Sequence, residues 1–322
     1  MSNHELMRGV PAGARHVLVT GGTGFIGHSL VPALAEQGLR VSVLTRRDRL
    51  PAALRHEQVQ AVRSLAEISD SEPVDAVINL AGARILGLPW TAARRAELMR
   101  SRVGLTRDLV AWMASRSRKP RCLVTASAIG YYGVQRQGDD TPLAEDAPPQ
   151  PVFMSQLCQQ WEQAAAAAVT LGVRVACMRF GVVLGDGGAL PMLLLPVRLG
   201  LGGRLGSGRQ WLSWVHIDDL LRAVAHAWHA LDAERDAVQR SYNVTAPTAV
   251  RQLEFSRIAA NVLRRPAFMP TPAWPVRLVL GEQADLLLEG QRVVPARLLE
   301  EDFVFRYPEL QPALEHLAAR GR

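Results

Sequence analysis

Lysine is nearly absent from this 322-residue chain. Lys119 is the only one, although lysine and arginine together number 37. Chemistry that needs a lysine on any other segment is excluded. Cysteine is scarce too. Cys122, Cys158 and Cys177 are far apart, odd in number and in no metal-ligand spacing. That excludes a disulfide framework and suits a reduced, cytoplasmic chain. Cys122 and Cys177 lie in apolar runs and read as inert core residues. No run approaches the roughly 18 apolar residues of a membrane span. The opening "MSNHELMRGVPAGAR" lacks a positive end followed by an apolar stretch. It reads as a short disordered leader, not a secretory signal. The arginines are not interleaved with aromatics and no nucleic-acid-binding motif is present, so nucleic acid is not expected as a partner. Neither is a membrane.

What is present points to a globular protein. Apolar residues make up 48% and charged residues 21%, a balance that favours a packed core over disorder. The length suits one large domain or a domain with an attached lobe. The net charge is +7, and between Arg84 and Arg121 ten basic residues face only two acidic ones, Glu97 and Asp108. That stretch reads either as a solvated helix face or as a field that attracts a phosphorylated ligand.

"HVLVT" (16–20) reads as a β-branched strand, followed at once by "GGTGFIG" and a helix that stops at Gly38. "RVSVLT" (40–45) is the next strand, completing a parallel βαβ unit. Strands follow at 75–82, 121–127 and 174–185, alternating with helices at 91–117, opened by Thr91 as N-cap, and 153–171. This alternation predicts a doubly wound α/β (Rossmann) parallel sheet. "WLSWVHIDDLLRAVAHAWHAL" (211–231) reads as a strand and a helix capped by Asp218 or Asp219. Residues 14–183 and 211–246 are assigned to the Rossmann domain. Residues 184–210 and 247–322, with their glycines and prolines, are assigned to a smaller substrate-side lobe.

Gly21, Gly24 and Gly27 stand in the turn after the first strand, and Gly22, Gly24 and Gly27 also satisfy G-x-G-x-x-G. A dinucleotide needs a tight turn, close approach of backbone to pyrophosphate and close helix–strand packing, which side chains would block. The helix N-terminus then offers free N–H groups to phosphate. An acidic residue at the end of the second strand, about 20 residues beyond the glycines, would select NAD. This chain has Thr45, Arg46 and Arg47 there. Arginine can hold a 2′-phosphate, so NADP(H) is the expected cofactor unless the arginines are only loop charges.

With TGGTGFIG (20–27), NLAG (79–82) and SAIGYYG (127–133) in place, the chain resembles the extended short-chain dehydrogenase/reductase superfamily. Within it, the chain is similar to an epimerase-like group of largely unassigned function. That group shares "WE" (161–162), "GVVLG" (181–185), "GSGRQWLSWVHIDDL" (206–220) and a segment like "LLLEGQRVVPARLLEEDFVFRYPEL" (286–310). The resemblance runs from residue 16 to about 318. It implies a seven-stranded parallel sheet with NADP across its C-terminal edge. It implies that Phe25 and Ile26 join Gly21, Gly24 and Gly27 around the cofactor, with Thr45 and Arg46 at the adenosine phosphate. Leu80, Ala81 and Gly82 would line the adenine-ribose side, Glu97 and Arg102 would lie near the cofactor, and Val183 near the nicotinamide. One departure is Ala83, where the group usually has glutamate.

Related reductases and epimerases carry Tyr-x-x-x-Lys on the helix that corresponds to 153–171. The spacing puts both side chains on one helix face, where lysine lowers the tyrosine pKa and tyrosine moves a proton. Here the aligned pair is Phe153 and Leu157, or Met154 and Cys158 if the register slips by one. Neither pair can move a proton. Ser127 lies in the loop of the companion serine, although Ala128 also fits that position. Tyr131 and Tyr132 follow and offer phenols, or they pack structurally. The catalytic candidates are thus Ser127, Tyr131 and Tyr132. Glu162 reads as a helix-face charge or a substrate contact.

Three further features stand apart. His226 and His229 share a helix face but show no carboxylate or cysteine partner, so no metal is assigned. His216 and Asp219 resemble a pair, with Asp219 better read as a cap. "RLGLGGRLGSGR" (198–209) reads as a mobile lid for an anionic group or as a surface loop. The expected function is an atypical NADP(H)-dependent oxidoreductase or epimerase acting on a small, anionic molecule. The alternative is a non-catalytic NADP(H) sensor or scaffold. A homodimer is compatible with either.

Overall fold

The computed structural model of the chain describes residues 3–87 and 90–320. Its first element is not a loose leader. Helix α1 (Asn3–Leu6) is followed by Met7, which is fully buried. A side chain at Gly9 would come within 3.1 Å of the Ala225 backbone. The leader expectation fails because Leu6 and Met7 find an apolar surface that the N-terminal sequence alone does not reveal.

β1 (His16–Thr20) is buried at all five positions, as a central parallel strand covered on both faces must be. α2 (Phe25–Glu36) and β2 (Arg40–Leu44) complete the first βαβ unit. β3 (Val59–Val62), β4 (Ala76–Asn79), α3 (Ala92–Met99) and α4 (Leu105–Ser115) follow. Thr91 caps α3, its hydroxyl accepting from the Arg94 amide at 3.2 Å. The expected single helix over 91–117 is interrupted. Residues Arg100–Gly104 form a π turn between α3 and α4.

β5 (Cys122–Ala128), α5 (Phe153–Ala166) and β6 (Arg174–Phe180) come next, with Gly172 left-handed after α5 at φ +82°. The expected strand over 174–185 splits at Gly181, where a side chain would meet the Ser213 carbonyl at 2.6 Å. The continuation, β7 (Val182–Leu184), leaves the main sheet. It pairs instead with β9 (Trp214–His216), which lies beyond α6 (Leu190–Arg198) and β8 (Trp211–Leu212). α7 (Ile217–Ala233), β10 (Gln239–Val244), β11 (Val250–Arg251) and α8 (Gln252–Leu263) follow. The chain closes with α9 (Ala273–Leu280), α10 (Asp285–Leu288), α11 (Ala296–Glu300) and α12 (Leu310–Arg320).

The main sheet has seven strands in the order β10-β6-β5-β4-β1-β2-β3, all parallel. It is the expected doubly wound sheet. Alternate residues go to opposite faces: Val17 and Val19 join one core with Leu34 and Val224, and Leu18 joins another with Leu109 and Met113. A third apolar cluster gathers α6, α8 and α12. Strand order reverses between β1 and β4, which opens a crevice at their C-terminal ends. No described helix is long and apolar enough to cross a membrane.

α7 is capped by neither aspartate. His216 is its N-cap, with Nδ1 accepting from the Asp218 amide at 3.0 Å. Asp219 is buried and accepts from the Arg306 and Tyr307 amides, each at 2.8 Å. It therefore anchors the C-terminal segment to α7.

Candidate cofactor and active site

The glycine turn fills the crevice between β1 and β4. Gly21 has φ +69°, and a Cβ there would lie 2.6 Å from the Leu80 carbonyl carbon. At Gly27 a Cβ would lie 2.4 Å from the Gly22 oxygen. Turn, NLAG loop and helix start can approach this closely only without side chains. Gly24 is the exposed N-cap of α2, so the helix start faces outward as an anion-binding end. Phe25 and Ile26 form the first turn and are half-buried. Three glycines close over Phe25: Cβ atoms at Gly185, Gly187 and Gly188 would come within 2.7, 2.8 and 2.8 Å of its ring.

At the end of β2, Thr45 is buried and its hydroxyl accepts from the Arg47 amide at 3.2 Å. Arg46 is exposed, and its side chain has no hydrogen bond or ion pair among the described residues. The nearest acidic residue in sequence, Asp48, is held by Arg63 at 3.1 Å. The edge of the turn thus presents an uncommitted guanidinium.

Below the NLAG loop, Asn79 is buried. It accepts from Thr20 Oγ1 at 2.6 Å and donates to Thr106 and Thr125 at 2.9 and 3.1 Å. This ties β1, β4, β5 and α4 together. Leu80 and Gly82 face the crevice, with Ala81 between them. Arg102 packs against Gly82, where a Cβ would meet its guanidinium carbon at 2.9 Å. Its Nη2 donates to the Ala83 carbonyl at 2.9 Å, and its guanidinium lies 5.3 Å over the Trp161 ring. Arg102 is 7% exposed and has no carboxylate partner among the described residues. Burial lowers its pKa to about 10. The π turn at 100–104 is what carries this side chain, and such turns recur at functional sites.

A cavity of about 220 Å³ continues from Ile26, Leu80 and Gly82 toward β5 and α5. Met154, Leu157, Cys158 and Trp161 line one side of it, at helical spacings of three and four. Phe153 is not in the wall. It stacks edge-on with Trp90 at 5.3 Å and lies under Arg95 at 4.8 Å. The register that faces the cavity is therefore the slipped one, with Met154 and Cys158 at the dyad positions. Burial pushes the Cys158 thiol up to about 12, so it stays protonated.

Ser127 lines the same cavity and is 2% exposed. Its hydroxyl donates to Glu162 Oε1 at 2.7 Å. Arg179 grips that carboxylate with both arms, Nε to Oε1 at 2.8 Å and Nη2 to Oε2 at 2.9 Å. Arg179 Nη1 also donates to the Tyr132 hydroxyl and the Glu145 carbonyl, each at 2.9 Å. The Tyr132 hydroxyl donates in turn to Asn243 Oδ1 at 2.6 Å. Tyr132 is thus a structural member of a buried network. Burial raises its pKa to about 12, and it is absent from the cavity wall. Tyr131 is also outside the wall, with Arg179 stacked 3.5 Å over its ring. Of the three catalytic candidates, only Ser127 faces the cavity. Glu162, which the sequence leaves open as a helix-face charge or a substrate contact, and Arg179, which it shows only as a residue of the strand, organise it.

The remaining candidates scatter. Glu97 pairs with Arg94 at 2.6 Å and is half exposed, away from the wall. Val183 sits in β7 opposite Val215. The glycine-arginine stretch is not a free flap. Gly206 N–H donates to Thr271 at 2.8 Å, Met269 N–H to Gly202 at 3.0 Å, and Gln252 holds both Leu205 and Gly203. His226 does have a carboxylate partner, Glu301 at 2.8 Å, brought from the end of α11. His216, Asp218 and His316 place ligand atoms within 4.8 Å of one another. His216 is committed at both nitrogens, however, to the Asp218 amide and to His316 at 3.1 Å. Arg306 and Arg320 add positive charge. That set opposes a cation.

Comparison with known proteins agrees with this geometry. Residues 17–245 match the NAD dependent epimerase/dehydratase family, and residues 271–317 match a domain of unknown function, DUF1731. The chain is 40% identical over 306 residues to an epimerase family protein of Staphylococcus saprophyticus, spanning 94% of this chain and 99% of the relative. It is 34% identical over 305 residues to the epimerase family protein YfhF of Bacillus subtilis, spanning 94% and 98%. Among solved structures it is similar to the human epimerase family protein SDR39U1 (isoform 2) with NADPH, at 34% identity, 94% and 99% coverage and a TM-score of 0.81. A UDP-galactose 4-epimerase, at 23% identity, 94% and 97% coverage and a TM-score of 0.72, shares the fold. The glycine turn, the NLAG loop and these matches agree: the chain belongs to the NAD dependent epimerase/dehydratase family.

Proposed function

We propose that the protein is an NADP(H)-dependent oxidoreductase or epimerase of the extended short-chain reductase type, acting on a small anionic molecule without the usual dyad. The observation that carries the cofactor choice is Arg46, exposed and without a partner among the described residues at the end of β2. A carboxylate there would repel a 2′-phosphate, and a guanidinium fork holds one. The turn suits a pyrophosphate because Gly24 leaves the start of α2 exposed, while Gly21 and Gly27 let turn, NLAG loop and helix pack without side chains between them. When bound, NADP(H) would supply or accept the hydride.

The chain's own groups have defined roles in this reading. The Ser127 proton is committed to Glu162. Its oxygen is left to accept from a ligand O–H or N–H. Arg102 offers buried, uncompensated positive charge, which favours an anionic group. Met154, Leu157 and Trp161 give the cavity an apolar wall. None of these wall residues exchanges a proton near neutral pH, so turnover depends on a proton from water or from the substrate.

That last point favours a second reading, an NADP(H) sensor or scaffold. Calorimetric titration with NADPH and NADH, joined to mass spectrometry of any co-purified small molecule, separates the readings. Firm NADPH binding together with a consumed anionic ligand supports the enzyme. Firm binding without turnover of any bound ligand supports the sensor. Equal affinity for the two cofactors would remove the argument from Arg46.

A further inference from the structure

Helices α6, α8 and α12 enclose a cleft of about 520 Å³ that shares no lining residue with the cavity at Ser127. The volume lies within the roughly 300–1,000 Å³ typical of small-molecule sites. Its floor is aliphatic. Leu190 and Leu194 come from α6, Val262 and Leu263 from α8, and Leu314 and Leu317 from α12. Leu190 and Leu194 are four apart and Leu314 and Leu317 three apart, and Val262 and Leu263 stand three and four beyond Ala259, which also lines the cleft, so each set lies on one helix face. Among the described residues no uncharged polar side chain lines the cleft, and its polar side chains are those of Asp186, Arg198 and Arg320.

These charges are poorly matched. Arg198, at the C-terminal end of α6, is exposed and has no hydrogen bond or ion pair among the described residues. Arg320 approaches Asp186 and Asp218 at 3.8 and 3.9 Å, too far for hydrogen bonds. Arg198, unpaired among the described residues, and Arg320, held only by these two long ion pairs, thus border an apolar trough. Arg198 lies eight residues along α6 from Leu190, a rise of about 12 Å. The trough therefore has length as well as a cationic end.

A ligand that fits must be apolar along its body and anionic at its head. Its chain would release water from the leucines, and its carboxylate would meet an arginine fork without displacing an existing acidic partner. A cationic amphiphile would meet the guanidiniums with like charge. A neutral one would leave their donors unused. We propose that this cleft binds a medium-chain aliphatic carboxylate, with the chain along Leu190, Leu194, Val262 and Leu317 and the head group on Arg198.

The test uses the full chain and decanoate, with decanol and decylammonium as controls. Calorimetry is paired with methyl NMR of the leucines, and all additions stay below micelle formation. Decanoate should bind, shift Leu194 and Leu317 methyl signals, and bind more tightly than either control. Arg198→Ala should weaken decanoate about tenfold, and Arg198→Glu further, with NADPH affinity unchanged. Three results overturn the proposal. One is no decanoate binding to the unmodified protein. Another is equal decanoate affinity in all three proteins. The third is a concentration-dependent dimer, seen by sedimentation, that buries the cleft and is indifferent to decanoate. That last outcome would give the face to a second copy of the chain.

Discussion

Ser127 Oγ, in the wall of the cavity that reaches the cofactor turn at Ile26, donates to the buried Glu162 Oε1 at 2.7 Å. The glutamate stands one helical turn beyond Cys158 and two beyond Met154, so it continues the stripe on which related enzymes carry tyrosine and lysine. The chain has replaced a titrating pair with two inert side chains and a buried ion pair. Glu162 is 6% exposed and Arg179 3%.

The first prediction follows from that burial. Glu162→Gln removes the charge opposite Arg179 and leaves a guanidinium without its counter-ion in the core. Breaking a buried pair this way costs about 3–5 kcal/mol. Ser127→Ala removes one hydrogen bond to a charged group, about 1.5–3 kcal/mol. Urea unfolding should therefore rank Glu162→Gln well below Ser127→Ala in stability. The reverse order would mean that the serine, not the ion pair, holds the network.

A second prediction concerns Arg46. NADPH should bind more tightly than NADH by roughly 10- to 150-fold, the value of a charge-assisted contact. Arg46→Asp should abolish or invert the preference and leave the fold intact, because the Arg46 side chain is exposed and has no hydrogen bond or ion pair among the described residues. Calorimetric affinities for both cofactors check it, and a variant that keeps the preference would sink it.

The third prediction concerns acid. Burial, reinforced by His316, Arg320 and Arg306, lowers the His216 pKa to about 3. The unfolded chain takes up this proton near pH 6.5 and the folded chain does not. The stability so held is present above pH 6.5 and is lost as pH falls toward 3, with a slope approaching about 1.4 kcal/mol per pH unit. His216→Asn keeps a good helix cap and removes the titration. Its unfolding free energy should depend less on pH between 6.5 and 4 than that of the unmodified chain. Parallel curves would place the acid sensitivity elsewhere.

Much of the fold was legible because its signals are local. The glycine turn is written in seven consecutive residues, and HVLVT carries an apolar centre at a strand's length. The two edge strands were harder. VQAV at β3 and QRSYNV at β10 lie at the ends of the sheet, where one side of the strand has no neighbour and polar residues are tolerated. The site divides the same way. Arg46 follows the second strand at the interval a dinucleotide site sets, and Arg102 is reached through the family resemblance. The grip of Arg179 on Glu162 joins a strand to a helix, and no sequence interval announces it. His226 and Glu301 are 75 residues apart and meet only in the folded chain, where Asp219 helps fasten the C-terminal segment to α7.

The final prediction concerns the stripe itself. Met154 and Cys158 face the cavity, and the Cys158 thiol, raised to about 12 by burial, stays neutral at any working pH. Tyr132 is raised to about 12 as well and is tied to Arg179 and Asn243. A positioned acid or base contributes about 10² to 10⁴ in rate. UDP-sugars and simple carbonyl compounds should thus turn over very slowly or not at all, while NADPH still binds firmly. Any slow rate should survive Tyr131→Phe, whose phenol is outside the wall, and fall in Ser127→Ala, which removes the acceptor facing the ligand. NADPH absorbance across such a substrate panel, with both variants in parallel, is the measurement. Fast turnover that survives Ser127→Ala would show that proton transfer runs through a group outside this cavity.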